Sequence, residues 1–176
     1  GSSTGWSSYS DVIFVEMNPL WSYETGENVN VAISADGEYI VVGSDDNKVY
    51  FFGKDSNTSL WSNDKSSVGY DVTSVAISAD GEYVAAGLSN DDSGNVYLFG
   101  RNSTSYLWHT TVQGNVNAID ISADGEYIVA SGGYKYRLFH RSSSTPLWTH
   151  TLSDNTAISM DISADGKYIS AASYNG

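Results

Sequence analysis

The sequence has no cysteine and little positive charge, and both shortages restrict what the protein can do. Without cysteine there are no disulfide bonds and no thiolate metal ligands. Eight lysines and arginines stand against 21 aspartates and glutamates, which gives a formal net charge of -13. Phosphate-rich partners bind patches of Lys and Arg, so we predict no nucleic-acid partner. No run is apolar for long enough to span a bilayer, so we also predict no membrane insertion.

One phrase occurs four times along the 176 residues. It reads ISADGEYI at 33–40, ISADGEYV at 77–84, ISADGEYI at 121–128 and ISADGKYI at 162–169. A strand-like apolar run and then a tryptophan recur in every unit. The tryptophans are Trp21, Trp61, Trp108 and Trp148. A period of this length indicates a repeat architecture.

The segments between the turns are short, rich in β-branched and aromatic residues, and bounded by Gly, Asp, Asn and Ser, which predicts strands. EYIVVG at 38–43 and VYFF at 49–52 are nearly continuous apolar runs, which are typical of sheets covered on both faces. In each S-A-D-G turn we expect the Ser and Asp side chains to accept backbone hydrogen bonds and the Gly to take a positive φ. We therefore predict an all-β protein, a β-propeller with four blades' worth of four-stranded antiparallel sheets.

Two stretches resemble known propeller repeats. VTSVAISADGEYVAAGLSNDDSGNVYLF, at 72–99, resembles the WD-repeat pattern, although the WD dipeptide and the Gly-His pair of that pattern are absent. VYLFGRNSTSYLWHTT, at 96–111, is similar to the pyrroloquinoline-quinone-type (quinoprotein-like) repeat, in which an outer-strand tryptophan docks between blades. The resemblance implies that docking role for the four repeat tryptophans. It covers nearly the whole chain and implies a fold, not an activity.

The order of the strands predicts that one blade is divided between the chain ends. In a single domain over 1–176, we place its third and fourth strands in 1–27 and its first and second strands in 156–176. Complete blades are expected over 28–71, 72–115 and 116–155. Joining the ends would hide two sheet edges. We favour a dimeric ring, because closing a ring with only four broad blades needs a steep wedge between neighbours. A four-bladed monomer, a head-to-tail filament and a segment of a larger propeller are the alternatives.

The sequence offers little for catalysis. No serine is placed with a His/Asp pair in a Gly-x-Ser-x-Gly nucleophile elbow, and there is no glycine-rich phosphate loop. We expect His109, His140 and His150 to be surface residues and not a metal triad. We predict no enzyme and no cofactor, with calcium as the one candidate ion. The weak calcium candidates, in two acidic loops, are Asp45, Asp46, Asp91, Asp92 and Asn95.

Two N-glycosylation sequons, Asn57-Thr58-Ser59 and Asn102-Ser103-Thr104, favour an extracellular or cell-surface location. We expect both at the edge that carries the S-A-D-G turns, which leaves the acidic loop face for a protein or glycan ligand. The leading hypothesis is a non-enzymatic binding or assembly module that self-associates through blade completion. The alternative is a lectin-like or substrate-binding domain of a larger, quinoprotein-like enzyme, with ligand contacts from Tyr70, Tyr134 and Trp6.

Overall fold

The structure is a computed structural model that describes residues 20–25, 28–65, 69–90, 93–153 and 156–174. These ranges contain fourteen β-strands and no helix, so no helix in them could cross a membrane. The strands are β1 (Val29–Ile33), β2 (Tyr39–Ser44), β3 (Lys48–Gly53), β4 (Trp61–Asp64), β5 (Asp71–Ile77), β6 (Tyr83–Ser89), β7 (Ser93–Gly100), β8 (Tyr106–Gln113), β9 (Val116–Ile121), β10 (Tyr127–Gly132), β11 (Lys135–His140), β12 (Trp148–Thr151), β13 (Thr156–Ile162) and β14 (Ile169–Tyr174).

The strands form three complete sheets and one half sheet. Blade 1 contains β1–β4, blade 2 contains β5–β8, and blade 3 contains β9–β12, each as four antiparallel strands in sequence order. The half-blade is the antiparallel pair β13–β14. The predicted all-β class and the four-stranded antiparallel sheets are confirmed, and the architecture is consistent with a four-bladed β-propeller. The strand predicted near 11–17 lies outside the described residues.

The sheets stack face to face, and their middle strands are buried on both sides. In β6, Val84 and Ala86 belong to the hydrophobic cluster shared with blade 1, whereas Ala85 belongs to the cluster shared with blade 3. All three residues are 0% exposed. This burial explains why the middle strands are almost entirely apolar, because alternation is needed only where one face of a sheet meets water.

The first strand of each sheet, β1, β5, β9 or β13, is its inner strand. Neighbouring sheets approach each other closely near these inner strands, at positions where the sequence has small residues. A Cβ placed at Gly43 would strike Val72 of blade 2, and one at Gly87 would strike Val116 of blade 3. The first strands of neighbouring sheets also lie side by side: β1 contacts β5, β5 contacts β9, and β9 contacts β13. In the described part of the chain no comparable contact joins β13 back to β1.

Candidate interaction surfaces

The four S-A-D-G turns share one geometry. In the first, Ser34 Oγ donates a hydrogen bond to Asp36 Oδ1 (2.6 Å), which also accepts the backbone N–H of Glu38 (3.0 Å). The Tyr39 N–H donates to Ser34 Oγ (3.0 Å), and Gly37 has a φ of 73°. The same arrangement recurs at 78–83, 122–127 and 163–168. The predicted positive φ and the hydrogen-bonded Ser and Asp side chains are confirmed.

Backbone hydrogen bonds join these turns into a belt across the blades. The Ala35 N–H donates to the Ala79 carbonyl (3.0 Å), Ala79 to Ala123 (2.9 Å), and Ala123 to Ala164 (3.0 Å). The described residues show no bond from the Ala164 N–H back to the Ala35 carbonyl. The belt therefore has one free donor end and one free acceptor end among these residues.

A tyrosine from each complete blade packs on the turn glycine of the next sheet. A Cβ placed at Gly81 would lie 2.5 Å from Tyr39 Cδ2, so only glycine leaves room for the ring. The equivalent pairs are Tyr83 with Gly125 and Tyr127 with Gly166. An arginine of the following blade covers two of these rings, with its guanidinium carbon 4.8 Å from the Tyr39 ring (Arg101) and 5.2 Å from the Tyr83 ring (Arg141). Sequence reasoning missed this contact, although Tyr39, Tyr83 and Tyr127 each lie two residues after a turn glycine.

The turn aspartates link stability to pH. The Ser122 hydroxyl and then the Glu126 N–H, which both donate to Asp124, hold the pKa of that carboxyl below its ordinary value of 3.8. Hydrogen bonds to the first and fourth turn aspartates lower their pKa values in the same way. A carboxyl whose folded pKa is lowered adds stability above its unfolded pKa, and that stability is lost as the pH falls through the folded pKa.

We therefore expect Asp124→Asn to melt below the wild type at about pH 6 and to approach it at about pH 2, because protonation of the Asp124 carboxyl at low pH removes the charge that distinguishes the two. Thermal melts followed by circular dichroism at both pH values measure this difference. The exposed Asp55 is a matched control, because its carboxylate contacts the Lys54 ammonium (2.7 Å) and lies outside any S-A-D-G turn, so Asp55→Asn should change little at either pH. A pH-independent difference for Asp124→Asn would contradict the assigned role of its charge.

Asp120 shows the opposite behaviour at the inner edge of blade 3. Burial raises the pKa of its carboxyl, and the neighbouring charge of Asp161 adds to that effect. Its oxygens accept the N–H groups of Ile121 (2.8 Å) and of Ile162 in the half-blade (2.8 Å), so the side chain joins two inner strands. Asp161 occupies the equivalent position on β13 and is exposed.

Three repeat tryptophans dock on a neighbouring sheet. Each indole N–H donates to a backbone carbonyl of the next blade, and each ring lies close to a phenylalanine of that blade. The hydrogen bonds run from Trp21 to Lys54 (2.7 Å), from Trp61 to Arg101 (2.7 Å) and from Trp108 to Arg141 (2.8 Å). The distances between ring centres are 5.5 Å for Trp21 and Phe52, 5.6 Å for Trp61 and Phe99, and 5.5 Å for Trp108 and Phe139. Trp148 differs, since it is 38% exposed and its indole has no acceptor among the described residues.

The stack leaves an apolar face uncovered at blade 1. Val31 is 67% exposed and Ile33 is 61% exposed, whereas the equivalent Ile119 and Ile121 of blade 3 are each 6% exposed. Beside these residues a cavity of about 340 Å³ opens beneath Trp21. Its lining residues are Trp21, Ser22, Tyr23, Thr25, Val29, Val31, Ile40, Val42 and Phe52. We call this surface the head face.

The half-blade is uncovered at the other end of the stack. Tyr168 is 74% exposed, although its counterparts in the three complete blades are partly buried. Along β14, residues 170–174 are all exposed, and Tyr174 is 63% exposed. We call this surface, formed by Ala164, Tyr168 and residues 170–174, the tail face.

The loops at the opposite edge carry the acidic candidates. Asp45 Oδ2 accepts the backbone N–H and the amide of Asn28 (3.0 and 2.9 Å), and Asp46 accepts the Lys48 N–H (3.2 Å) and the Tyr50 hydroxyl. Asn95 is buried, and its Oδ1 accepts the Thr111 hydroxyl (2.9 Å). Asp91 and Asp92 lie outside the described residues. Within the described ranges no group of three or more His, Asp or Glu side chains could hold a metal ion, so calcium binding stays a prediction.

Each of the three histidines has its own neighbours, and none belongs to a group of side chains in the described ranges that could hold a metal ion. His109 stacks on Tyr97 (5.2 Å), His150 stacks on Tyr136 (6.5 Å), and His140 Nε2 lies 3.2 Å from Glu126. Both sequon asparagines, Asn57 and Asn102, are exposed. They lie in the turns that follow β3 and β7, and those turns begin beside the S-A-D-G turns through backbone bonds such as Lys54 N–H to the Glu38 carbonyl (2.9 Å).

The interface of blades 1 and 2 contains a cation–π contact, made by a lysine side chain, that sequence reasoning missed. Lys65 places its ammonium 4.5 Å from the centre of the Tyr97 ring and 5.0 Å from that of Tyr106. Burial lowers the pKa of this ammonium. At the next interface, Arg137 occupies the position of Tyr97 and is 6% exposed, with a 3.4 Å hydrogen bond to the Gly132 carbonyl. The repeat pattern does not reveal these contacts, because the interacting positions belong to different sheets.

The sequence model of the protein family described as "WD domain, G-beta repeat" matches residues 18–52 and 55–99, just under half of the chain. Each matched range begins before a repeat tryptophan and ends in a third strand, β3 or β7, and the range 55–99 runs from the outer strand of blade 1 into blade 2. Comparison with curated proteins finds no match. The repeats and the strand order together support a WD-repeat-like propeller, and the quinoprotein-like resemblance stays a prediction.

Proposed function

We propose that the chain is a non-enzymatic scaffolding module that binds proteins and self-associates through its two uncovered faces. The observation that carries the proposal is the exposure of the head and tail faces on a stack whose internal interfaces are closely packed. Val31 and Ile33 are exposed at one end and Tyr168 at the other. Clusters of exposed apolar side chains are typical of sites that bind another protein.

The repeat match supports the general part of this proposal. WD repeats suggest a protein-interaction or scaffolding propeller, and proteins built from them are generally non-enzymatic. The scattered histidines and the acidic loops, whose described carboxylates accept hydrogen bonds from backbone N–H groups of nearby residues, fit a binding role better than a catalytic one.

An extracellular or cell-surface location follows from the sequons as a proposal. Asn57 and Asn102 are exposed in matching turns of successive blades, as an acceptor asparagine must be. Glycans on that edge would leave the acidic loop face free for a ligand.

A second candidate function is glycan binding at that loop face. A cavity of about 460 Å³ lies there, lined by Gln113, Tyr134, Lys135, Thr151, Leu152 and Ser153. Tyr134 is 59% exposed, and an exposed aromatic ring beside polar side chains suits a sugar. A glycan array that is positive for the wild type and negative for Tyr134→Ala would favour this candidate, and an array that is negative for both would remove it.

Self-association predicts a concentration-dependent mass. We expect light scattering coupled to gel filtration to give at least twice the chain mass of 19.0 kDa at micromolar concentrations, and a lower mass on dilution. Burial of apolar surface drives the association, so raising the salt concentration should not dissociate it. A mass of one chain over the whole range would contradict self-association.

A further inference from the structure

The three internal interfaces are built from the same contacts in the same direction. At each one, a turn alanine donates its N–H to the turn alanine of the next sheet, with lengths of 3.0, 2.9 and 3.0 Å. At each one, a turn tyrosine of the earlier sheet also packs on the turn glycine of the later sheet. The step from one sheet to the next, meaning the rotation and translation that relate them, is therefore nearly constant along the stack.

A constant step decides whether the chain closes on itself. If the step were that of a four-fold ring, three identical steps would bring the half-blade into the same contact with blade 1. That fourth contact is not made among the described residues, since Ala164 donates no bond to Ala35, and a Cβ placed at Gly37 meets nothing within 4 Å. The exposure of Tyr168 (74%) and Ile33 (61%) agrees with this gap. The chain's own half-blade therefore leaves the head face open.

The two uncovered faces carry the two halves of the repeated interface. The tail face offers the Ala164 N–H and the Tyr168 ring, and the head face offers the Ala35 carbonyl and the open Gly37. Lys54 lies in blade 1 at the position of Arg101, so its ammonium can cover a tyrosine ring there as Arg101 covers Tyr39.

The inner strands continue the same correspondence. The exposed Asp161 occupies the position of Asp120, which accepts the Ile162 N–H of the following sheet. The equivalent donor on the head face is the Ile33 N–H. Residues 20–25 already lie on blade 1, with Trp21 bound to the Lys54 carbonyl, in the place that the outer segment of a preceding sheet would take, and the cavity lies beneath them.

From these contacts we infer that the tail face of one copy docks on the head face of a second copy, with β13–β14 filling the cavity beneath Trp21. The inference rests on the proposed self-association and specifies its partner and its mode. Tyr168 of one copy packs on Gly37 of the other beneath Lys54, and the turn belt continues from Ala164 to Ala35. Each blade at the junction then combines the inner strands of one chain with the outer segment of the other.

Tyr168→Ser tests the docking without disturbing the fold of a single chain, because the ring is already mostly exposed there. We expect it to raise the dissociation constant of the assembly at least about tenfold, as loss of an interface aromatic anchor does. Tyr134→Ser is the matched control, since that exposed tyrosine lies at the opposite loop edge, and it should leave the constant unchanged. Equal constants for Tyr168→Ser and the wild type would overturn the docking mode and leave self-association standing.

Cross-linking separates a second copy from the chain's own end. The chain has no cysteine, so Ala35→Cys and Ala164→Cys introduce the only thiols. When the two single variants are mixed and treated with a short bifunctional thiol reagent, we expect a covalent dimer that contains one of each. The double variant at high dilution should give no cross-link within one chain. An intramolecular cross-link there, or no mixed dimer when the wild type is dimeric, would contradict the inference, whereas a monomeric wild type would also remove the proposed function.

Discussion

Replacing Trp108 by alanine should lower the free energy of unfolding by about 3–5 kcal/mol, the usual cost of removing a large aromatic side chain from a core. Trp108 is 9% exposed, its ring lies 5.5 Å from Phe139, and its indole N–H donates to the Arg141 carbonyl at 2.8 Å. The substitution opens a cavity between blades 2 and 3 and leaves that carbonyl without its donor. Urea denaturation followed by far-UV circular dichroism measures the loss.

Trp148→Ala is the matched control for this experiment. Trp148 has the same place in its repeat but is 38% exposed, with no indole acceptor among the described residues. Measured at a dilution that keeps the chain monomeric, its replacement should cost clearly less than that of Trp108. A loss below about 1 kcal/mol for Trp108→Ala would mean that the ring contributes little between the blades, and the docking role would be wrong.

The sequence predicts the local structure well because the turns are local. Ser34, Asp36 and Gly37 lie within four residues of one another, and their hydrogen bonds and positive φ depend on little beyond that stretch. The same is true of the strand order, since short antiparallel strands joined by tight turns pair with their sequence neighbours. Four copies of one turn therefore predict the sheets and their antiparallel pairing.

The contacts between sheets could not be predicted in the same way. Gly43 and Gly87 are required by Val72 and Val116 of the following blades, whereas at the equivalent sequence positions blade 3 has Ser131 and the half-blade has the smaller Ala157. The two members of each glycine–valine pair lie 29 residues apart in the chain and in different sheets, so a pattern read one repeat at a time does not reveal them. Arg137 in the place of Tyr97 is another exchange of this kind.

Closure is a property of the whole stack. The predicted division of one blade between the chain ends depends on strand order alone, but the meeting of those ends depends on the angle that every interface adds. That angle is set by contacts between sheets, such as that of Tyr39 with Gly81. The repeat phrase contains both residue types but does not show which neighbouring sheet each one contacts. The predicted strand near 11–17 lies outside the described residues, so its pairing stays a prediction.

Gly81→Val should destabilise the chain by about 2–6 kcal/mol, because two costs add. Gly81 has a φ of 69°, a conformation that a β-branched residue adopts only with strain. A Cβ there would also lie 2.5 Å from Tyr39 Cδ2, so the tyrosine ring must leave its place between blades 1 and 2. Thermal unfolding measures the effect, with a fall of about 2–4 °C expected for each kcal/mol.

Gly37→Val separates the two costs. Gly37 has nearly the same φ, 73°, but a Cβ there meets nothing within 4 Å, so in a single chain it carries the backbone strain without the collision. We expect a loss of about 1–3 kcal/mol for Gly37→Val when the chain is diluted to the monomer, and a larger loss for Gly81→Val. If both variants have the same melting temperature, the tyrosine contact adds no stability and the assigned packing between blades is wrong. If neither differs from the wild type, the turn does not need glycine.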